Sequence, residues 1–519
     1  MSDEPQNSPT SVTDAAKMTS RLSTDSNDVQ PHMGGTSKRV IQVCVTASLG
    51  GFLYGFSANS MSGTLAQTSF IAQFLTTPDA TSRMDGLLAV FLGGAFVGAI
   101  VQAPISNKWG RKKANLSAAS IAVIAGVMQS ASYHFPMLMV ARILCGIGAG
   151  MVLANSPVYM SEVAPPHTRG LLVGLQGIGI VSAYILCSLC ALVFSFVQNP
   201  VQWRLTFIVL TVAAAGFAIS LIFLPESPRW LMENGREEQA KIELERLHRT
   251  KSDPSGALAR AEAIQIKAQV EAEKNLPKGY IYIFKTPALR KRAYCSILLW
   301  VMGQGTGITA IANLIPVLMG GLGFDSTLQL GLGLVWTVGL LFGCIVNVAY
   351  VDKVGRVRLL VIGGFTNATI LAIMTALVKY YLNTTYKPGI NALVALYFIF
   401  GFAFTATIEC TAYVYGSEIW PTHLRSEGST IAYGSFFANA LAYSAPINLA
   451  LANIGWKYYL VFVAVTVVST IVLAFYFPET KNLTLEEINA KFGDDVAIGL
   501  DDAIATEVQT VDNGEKKSD

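Results

Sequence analysis

A short series of charged residues occurs twice in this chain, in the same order and at nearly constant separation. The matching positions are Arg111 and Arg356, 245 residues apart, Glu162 and Glu418, 256 apart, and Glu226 and Glu479, 253 apart. Apolar segments surround both copies. A repeat on this scale within apolar helices indicates a membrane protein of two similar halves that can move about a central site.

The composition also favours a membrane protein. Of the 519 residues, 52% are hydrophobic and 14% are charged, whereas soluble proteins carry about 25% charged residues. The net charge of +3 is small and dispersed, so we expect no nucleic-acid partner. Windows of about 20 apolar residues predict twelve spanning helices. Their predicted ranges are 40–64, 86–106, 114–133, 137–159, 170–196, 203–224, 293–319, 327–351, 358–381, 391–417, 428–450 and 457–477.

These ranges predict an all-α integral membrane protein with two pseudo-symmetric six-helix bundles. The predicted parts are a disordered cytoplasmic tail at 1–39, the first bundle at 40–224, a cytoplasmic helical linker at 225–292, the second bundle at 293–477 and a cytoplasmic tail at 478–519. Lys and Arg concentrate in alternate short loops, which places those loops and both termini in the cytoplasm. The sequon at Asn383 then lies outside, where it can be glycosylated.

The sequence carries no signal for catalysis. It has no glycine-rich phosphate loop, no cluster of residues with metal-ligand spacing and no Ser-His-Asp arrangement. The linker has charges at helical spacing around 236–247 and reads as solvated helix rather than a second domain. We therefore expect no enzymatic activity, no cofactor and no bound metal, and the lipid bilayer as the surrounding medium.

Several motifs in register resemble one known family. They are GFLYG at 51–55, Arg142 with the glycines at 146, 148 and 150, PVYMSEVAP at 157–165, PESPRWL at 225–231 and PETK at 478–481. Together they resemble the sugar porter family of the major facilitator superfamily over nearly all of 40–490, and 418–425 and 455–459 are most similar to its fungal members. The resemblance implies the major facilitator fold of twelve helices and transport by alternating access.

The repeated charges are expected to meet at the cytoplasmic end of the helices. An unpaired charge inside a membrane is costly, so we expect Arg142, within the fourth span, to pair with Glu162 and Glu226. The pairs can anchor helix ends, or they can form a gate that separates when the cytoplasmic side opens; we favour the gate. The predicted gating residues are Arg111, Arg142, Glu162, Arg169, Glu226, Arg356, Glu418, Arg425 and Glu479.

One gate position departs from the family pattern. The family usually has Asp where this chain has Asn107, while Asp352 keeps the acid in the second copy. The first half has therefore lost one negative charge. We expect the two halves to contribute unequally to closure.

The central site departs from the family more often. Ser57 stands where proton-coupled members carry Asp, and GQGTGIT at 303–309 replaces a pattern with two glutamines and an asparagine. Each lost hydrogen-bonding group costs a sugar about 1 kcal/mol, so the predicted pocket is reshaped. The candidate solute ligands are Gln304, Tyr413, Gln176, Glu409, Thr309, Asn313 and Asn439.

Glu409 is the most unusual of these candidates. It precedes Glu418 by nine residues, which is about 13 Å of helix, and so lies within the membrane. An ionisable residue there predicts a functional site. It can be a protonatable or solute-contacting carboxylate, or a group that holds the tenth helix to a neighbour.

Three functions remain open from the sequence. The first is a plasma-membrane facilitator for a sugar, polyol or similar small solute, with or without proton coupling, which we expect to be a monomer. The second is an exporter of a less polar metabolite on the same scaffold. The third is a nutrient sensor, which the short segment after Pro478 disfavours.

Overall fold

The computed structural model describes residues 36–65, 67–249, 256–274, 276–312, 326–381, 384 and 386–494, and within these residues it contains helices and no strand. The helices of the first half are α1 (Lys38–Leu65), α2 (Thr68–Phe74), α3 (Ala80–Trp109), α4 (Arg111–Ser130), α5 (Phe135–Val163), α6 (Arg169–Ser195) and α7 (Gln202–Ile222). The linker contributes α8 (Pro228–Glu233), α9 (Glu237–His248), α10 (Ala257–Glu273) and α11 (Tyr280–Lys285).

The second half repeats the arrangement of the first. Its helices are α12 (Pro287–Gly305), α13 (Ser326–Val354), α14 (Arg356–Tyr381), α15 (Lys387–Phe404), α16 (Cys410–Glu418), α17 (Arg425–Ser444), α18 (Ile447–Ile454), α19 (Lys457–Tyr476) and α20 (Leu485–Phe492). Ten spans within the described residues are long and apolar enough to cross a membrane. The less apolar 20-residue helices α4 and α17 occupy the remaining predicted spans.

Two predicted helices are not continuous. The seventh span, predicted as unbroken over 293–319, is interrupted where Gly307 has a φ of 75°, a left-handed conformation that glycine adopts without steric cost. The tenth span contains a π-helical turn at Thr405–Glu409 between α15 and α16. Hydropathy does not report either feature, because neither the break nor the turn changes how apolar the segment is.

Small residues bring α3 and α5 into close contact. A Cβ added at Gly150 would lie 2.0 Å from the carbonyl oxygen of Ala95, and one at Gly98 would lie 2.2 Å from that of Ile147. Small residues at such crossings let helix backbones approach within a membrane. In the glycine series of the fourth span, Gly146 and Gly150 thus form a packing surface for the second span, while Gly148 packs against α4.

The two halves meet along two pseudo-symmetric helix pairs, α6 with α13 and α3 with α17. The linker helices pack at one end of both halves, which we call the linker side. They have a small core of their own, formed by Trp230, Leu231, Met232, Ala240, Leu244, Ala263 and Ile266. The linker side and the space between the halves are therefore the places where a relative movement of the halves would act.

Candidate solute cavity and linker-side charge cluster

A cavity of about 130 Å³ lies between the two halves, which suits a small solute. Helices α1, α3 and α6 supply one wall, and the second half supplies the other. Among the side chains that line the cavity are Tyr54, Asn59, Ser62, Phe91, Tyr184 and Ser188 from the first half, and Gln304, Thr309, Trp336, Thr337, Glu409, Tyr413 and Phe436 from the second.

Four of the candidate ligands line this cavity. Gln304 accepts a hydrogen bond from the Thr309 hydroxyl at 2.6 Å, and the Tyr413 hydroxyl donates to Oε1 of Glu409 at 2.9 Å. Each pair therefore presents one shared polar patch to the cavity. Because these four residues come from two separate spans, their convergence is a property of the fold that the sequence motifs alone did not establish.

Two other candidates, Gln176 and Asn439, lie outside this cavity. Gln176 is buried between α6 and α1, and a Cβ added at Gly51 would lie 2.5 Å from its carbonyl oxygen. Asn439 donates back to the Ser435 carbonyl in its own helix at 2.8 Å. Neither is among the residues that line the cavity. Asn313, like the sequon residue Asn383, falls outside the described residues.

Several lining residues were not predicted. On α6, Tyr184 and Ser188 are four residues apart, so they share a face of that helix, and Asn59 of α1 donates to both the Tyr184 carbonyl and the Ser188 hydroxyl. Tyr54 of α1 contacts Phe436 of α17 with ring centroids 6.3 Å apart. This spacing of polar residues within apolar spans was the sequence signal that could have found Asn59 and Ser188.

The π-helical turn sets the position of Glu409. A π turn inserts a residue into the helix, and such turns are frequent at functional sites. Asn347 of α13 donates to the carbonyl of Thr405 at 3.1 Å and accepts from the Thr411 hydroxyl at 2.9 Å. One buried amide therefore bridges the two ends of the turn that carries Glu409.

At the linker side of the first half, Glu162 is the centre of a buried charge cluster. It binds Arg111 through two parallel hydrogen bonds of 3.0 Å each and accepts from the Ser227 hydroxyl. Glu226 accepts the backbone N–H of Arg111 at 2.9 Å and of Lys112 at 3.1 Å. Glu226 thus caps the positive end of α4, rather than forming an ion pair.

The second half repeats these contacts. Arg356 binds Glu418 at 3.0 Å and also Asp352 at 2.9 Å. Glu479 accepts the backbone N–H of Arg356 at 2.9 Å and caps α14. The Thr480 hydroxyl donates to Glu418 at 3.0 Å. The repeated sequence motifs therefore fold into two matching clusters, as their order predicted.

Contacts across the halves join the two clusters. Arg425 lies 3.2 Å from Oε1 of Glu162, and both side chains are almost fully buried. Arg169 donates to the Leu483 carbonyl beyond the second half at 3.2 Å. These bonds hold the halves together at the linker side, so the structure has this side closed.

Arg142 does not belong to this cluster. The expected pairing of Arg142 with Glu162 and Glu226 is wrong, because 20 helical residues separate Arg142 from Glu162, or about 30 Å. Its Nη1 donates instead to the Ser57 carbonyl at 3.1 Å and the Ser60 hydroxyl at 3.3 Å, and its guanidinium stacks on Phe91. Arg142 therefore lies in the wall behind the central cavity.

The missing acid at Asn107 is replaced from the other half. Asn107 donates to Oε1 of Glu427 on α17 at 2.9 Å. At the equivalent junction, Asp352 accepts the backbone N–H of Leu171 on α6 at 2.8 Å. The offsets of the repeat match Asn107 to Asp352 and Leu171 to Glu427. Each junction thus keeps one carboxylate, on opposite sides of the contact.

The linker contacts both halves through two glutamate–histidine pairs, and helix α10 supplies the glutamate of each pair. Near its start, Glu262 binds His248, whose other ring nitrogen lies 2.9 Å from the Val163 carbonyl at the end of α5. At its end, Glu273 binds both the ring and the backbone N–H of His423, which precedes α17. The linker therefore connects to each half directly beside the charge cluster.

The His248 contact should depend on pH. Burial lowers the pKa of His248, but the Glu262 carboxylate and the Val163 carbonyl outweigh burial, so the pKa lies above its ordinary value. Burial raises the pKa of Glu262, but His248 and nearby arginines bring it below its ordinary value. Each partner therefore favours the charged form of the other in the folded protein. The attraction between the two side chains is fully present at pH values below the ordinary histidine pKa, about 6.5. It is lost as the pH rises through the higher pKa that His248 has in the folded protein.

We therefore expect hydrogen exchange in α10, corrected for intrinsic rates, to increase as pH rises above the ordinary histidine pKa of about 6.5. The His248→Gln variant keeps a polar side chain but cannot be charged, so its α10 exchange should not show this dependence. Equal pH profiles for wild type and variant would contradict a charged His248–Glu262 contact.

These features define a class of protein: a multi-pass membrane transporter with two six-helix halves around a central cavity. The sequence profile described as "Sugar (and other) transporter" matches residues 43–492. The MFS-type transporter criB of Aspergillus cristatus is 29% identical over 456 residues, covering 88% of this chain and 94% of that protein. A high-affinity glucose transporter of Kluyveromyces lactis is 28% identical over 478 residues, covering 87% and 84%.

A solved structure gives the same result for the fold. The proton:xylose symporter XylE bound to 6-bromo-6-deoxy-D-glucose matches with a TM-score of 0.78 and 25% identity, over 88% of this chain and 100% of that chain. This protein belongs to the sugar (and other) transporter family of the major facilitator superfamily. These comparisons confirm the predicted family and the predicted fold class. They also confirm the prediction that the protein is a transporter and not an enzyme.

Proposed function

We propose that this protein is a plasma-membrane carrier that moves a small polyhydroxylated solute by alternating access, as a monomer with both termini and the linker side in the cytoplasm. The observation that carries the proposal is the central cavity lined by both halves, together with the Glu162–Arg425 ion pair that joins the halves beside the linker. In this reading the charge cluster is a cytoplasmic gate, and the structure is its closed state.

The first helix gives no support for proton coupling at the usual position. Ser57 replaces an acid there, and Arg142 contacts the Ser57 backbone instead of a carboxylate. A serine hydroxyl stays neutral near pH 7 and cannot gain and release a proton as a carboxylate does. We therefore propose transport that needs no proton at Ser57.

Uptake of labelled hexoses, pentoses and polyols by transport-deficient cells tests the proposal, with and without a protonophore. We expect saturable uptake of at least one solute, unchanged by the protonophore. Arg425→Gln, at matched surface expression, should reduce this uptake because it removes the ion pair between the halves. Saturable uptake that the protonophore abolishes would contradict the uncoupled mechanism.

A second candidate function is export of a less polar metabolite on the same scaffold. The aromatic residues of the cavity wall favour it, and two predicted amide ligands, Gln176 and Asn439, are not in that wall. A relative of similar length, criB, is named only as an MFS-type transporter. Absence of uptake for every sugar and polyol tested would favour export over the first candidate.

A further inference from the structure

The central cavity contains one acidic side chain and no basic one among the described residues that line it. That acid is Glu409, which the π-helical turn places at the wall. Apart from the indole of Trp336, the other polar side chains that line the cavity carry amide or hydroxyl groups. The cavity surface itself is therefore anionic whenever Glu409 is ionised.

Glu409 has no cationic partner of its own. Within the described residues its side chain takes part in no ion pair, and Oε1 accepts one hydrogen bond from Tyr413 at 2.9 Å. The other intramembrane charge nearby, Arg142, contacts Ser57, Ser60 and the ring of Phe91 behind the opposite wall. An ionised carboxylate within a membrane span is unfavourable without a counter-charge. A cation bound beside Glu409 would supply that counter-charge, and protonation is the alternative that the test below separates.

Aromatic rings surround the same space. Tyr54, Tyr184, Trp336, Tyr413 and Phe436 all line the cavity. The faces of such rings attract cations, and the attraction is larger where water is excluded. Ammonium groups are recognised by this combination of aromatic faces and a carboxylate, whereas a neutral sugar would gain mainly from amides and hydroxyls.

We propose that the solute of this carrier bears a protonated amine, which binds Glu409 and the surrounding aromatic faces. The proposal rests on the transport function above and specifies the class of its solute. Glu409 gives the charge-assisted contact, Tyr413 orients the carboxylate, and Gln304 with Thr309 remains available for hydroxyl groups on the same molecule. An amino sugar can make both the charged contact and the hydroxyl contacts, and a small aromatic amine can make the contacts with Glu409 and the aromatic faces.

Matched solutes with and without a protonated amine test this proposal on the purified full-length protein. The set is glucose, glucosamine and N-acetylglucosamine, with phenethylamine and its N-acetyl derivative as a second series. Binding is measured by thermal stabilisation and by counterflow into liposomes. We expect an amine to bind at least about tenfold more tightly than its neutral counterparts.

Two variants identify the group responsible. Glu409→Gln should remove the preference for the amine, while Glu409→Asp keeps the charge and should retain the preference with weaker binding. Thr337→Val, a neutral change in the same wall, is the matched control and should leave the preference intact. If Glu409→Gln is unstable, the comparison of Glu409→Asp with Thr337→Val still measures the effect of moving the charge.

Three results would overturn the proposal. Equal binding of amines and neutral solutes by wild type is one, and an unchanged preference in Glu409→Gln is another. The third is a Glu409→Gln variant that alters only the protonophore sensitivity of neutral solute uptake, which would make Glu409 a proton carrier. All three leave carrier-mediated transport standing, although the third would contradict its uncoupled mechanism. Counterflow of no solute at all would contradict the transport function itself.

Discussion

Replacing Glu162 with Gln is expected to remove most transport activity. Glu162 binds Arg111 within the first half and Arg425 across the halves, and all three side chains are buried. Breaking a buried ion pair by removing one partner costs about 3–5 kcal/mol, because the remaining charge is left uncompensated. A loss of this size from the closed state would change the ratio of closed to open molecules by a factor of about 100 or more.

Comparison with other variants separates gating from folding. Arg425→Gln removes the contact between the halves and the Arg425 hydrogen bonds to the Trp420 carbonyl. It leaves the Arg111–Glu162 pair in place, so it should reduce transport with less loss of thermal stability than Glu162→Gln. Glu418→Gln leaves Arg356 with a second acid, Asp352, and should have a smaller effect than Glu162→Gln. Normal transport by the Glu162→Gln variant, or by a double Glu162→Gln, Glu418→Gln variant, would show that the charge cluster is not the gate.

The second large effect is expected from Asn107→Asp, although this change restores the acid usual in the family. The Asn107 amide donates to Glu427 at 2.9 Å, so an aspartate would place two carboxylates in direct contact. Juxtaposed like charges cost several kcal/mol. Transport by this variant should fall by at least about tenfold, because the closed state would be destabilised.

A second change should restore the activity. Asn107→Asp combined with Glu427→Leu recreates in the first junction the pairing that Asp352 and Leu171 make in the second. We expect this double variant to transport close to the wild-type rate, and Glu427→Leu alone to have a moderate defect. A double variant as inactive as Asn107→Asp, or normal transport by Asn107→Asp alone, would contradict this account, in which the two junctions carry their carboxylate on opposite sides.

The sequence predicted the contacts that depend on repeated motifs. The repeated charges were expected to meet at one end of the helices, and there Arg111 binds Glu162 and Arg356 binds Glu418, because each motif lies at the same end of its helix in both copies. Arg142 was misassigned because charge complementarity was considered without the length of helix that separates it from Glu162. Helical rise alone would have corrected that prediction.

Other features depend on packing that the sequence pattern does not report. The π-helical turn before α16 shifts the register of one helix relative to its neighbours without changing the apolar pattern. The contact of Glu427 with Asn107 depends on the packing of α17 against α3, which the sequence pattern does not report. Gln176 was expected to reach the solute, but close packing of α1 on α6 holds it at their contact. The break at Gly307 was the exception, since the alternating glycines at 303, 305 and 307 were a usable signal.

The distance between the two halves on the linker side tests the central claim most directly. All seven cysteines are buried, so spin labels can be attached at the exposed, symmetry-related positions Lys113 and Arg358 with little background. Double electron–electron resonance on this pair should give two distances in wild-type protein, the shorter belonging to the closed state. Glu162→Gln should shift the population to the longer distance. A single distance that neither solute nor Glu162→Gln changes would contradict alternating access controlled by this gate.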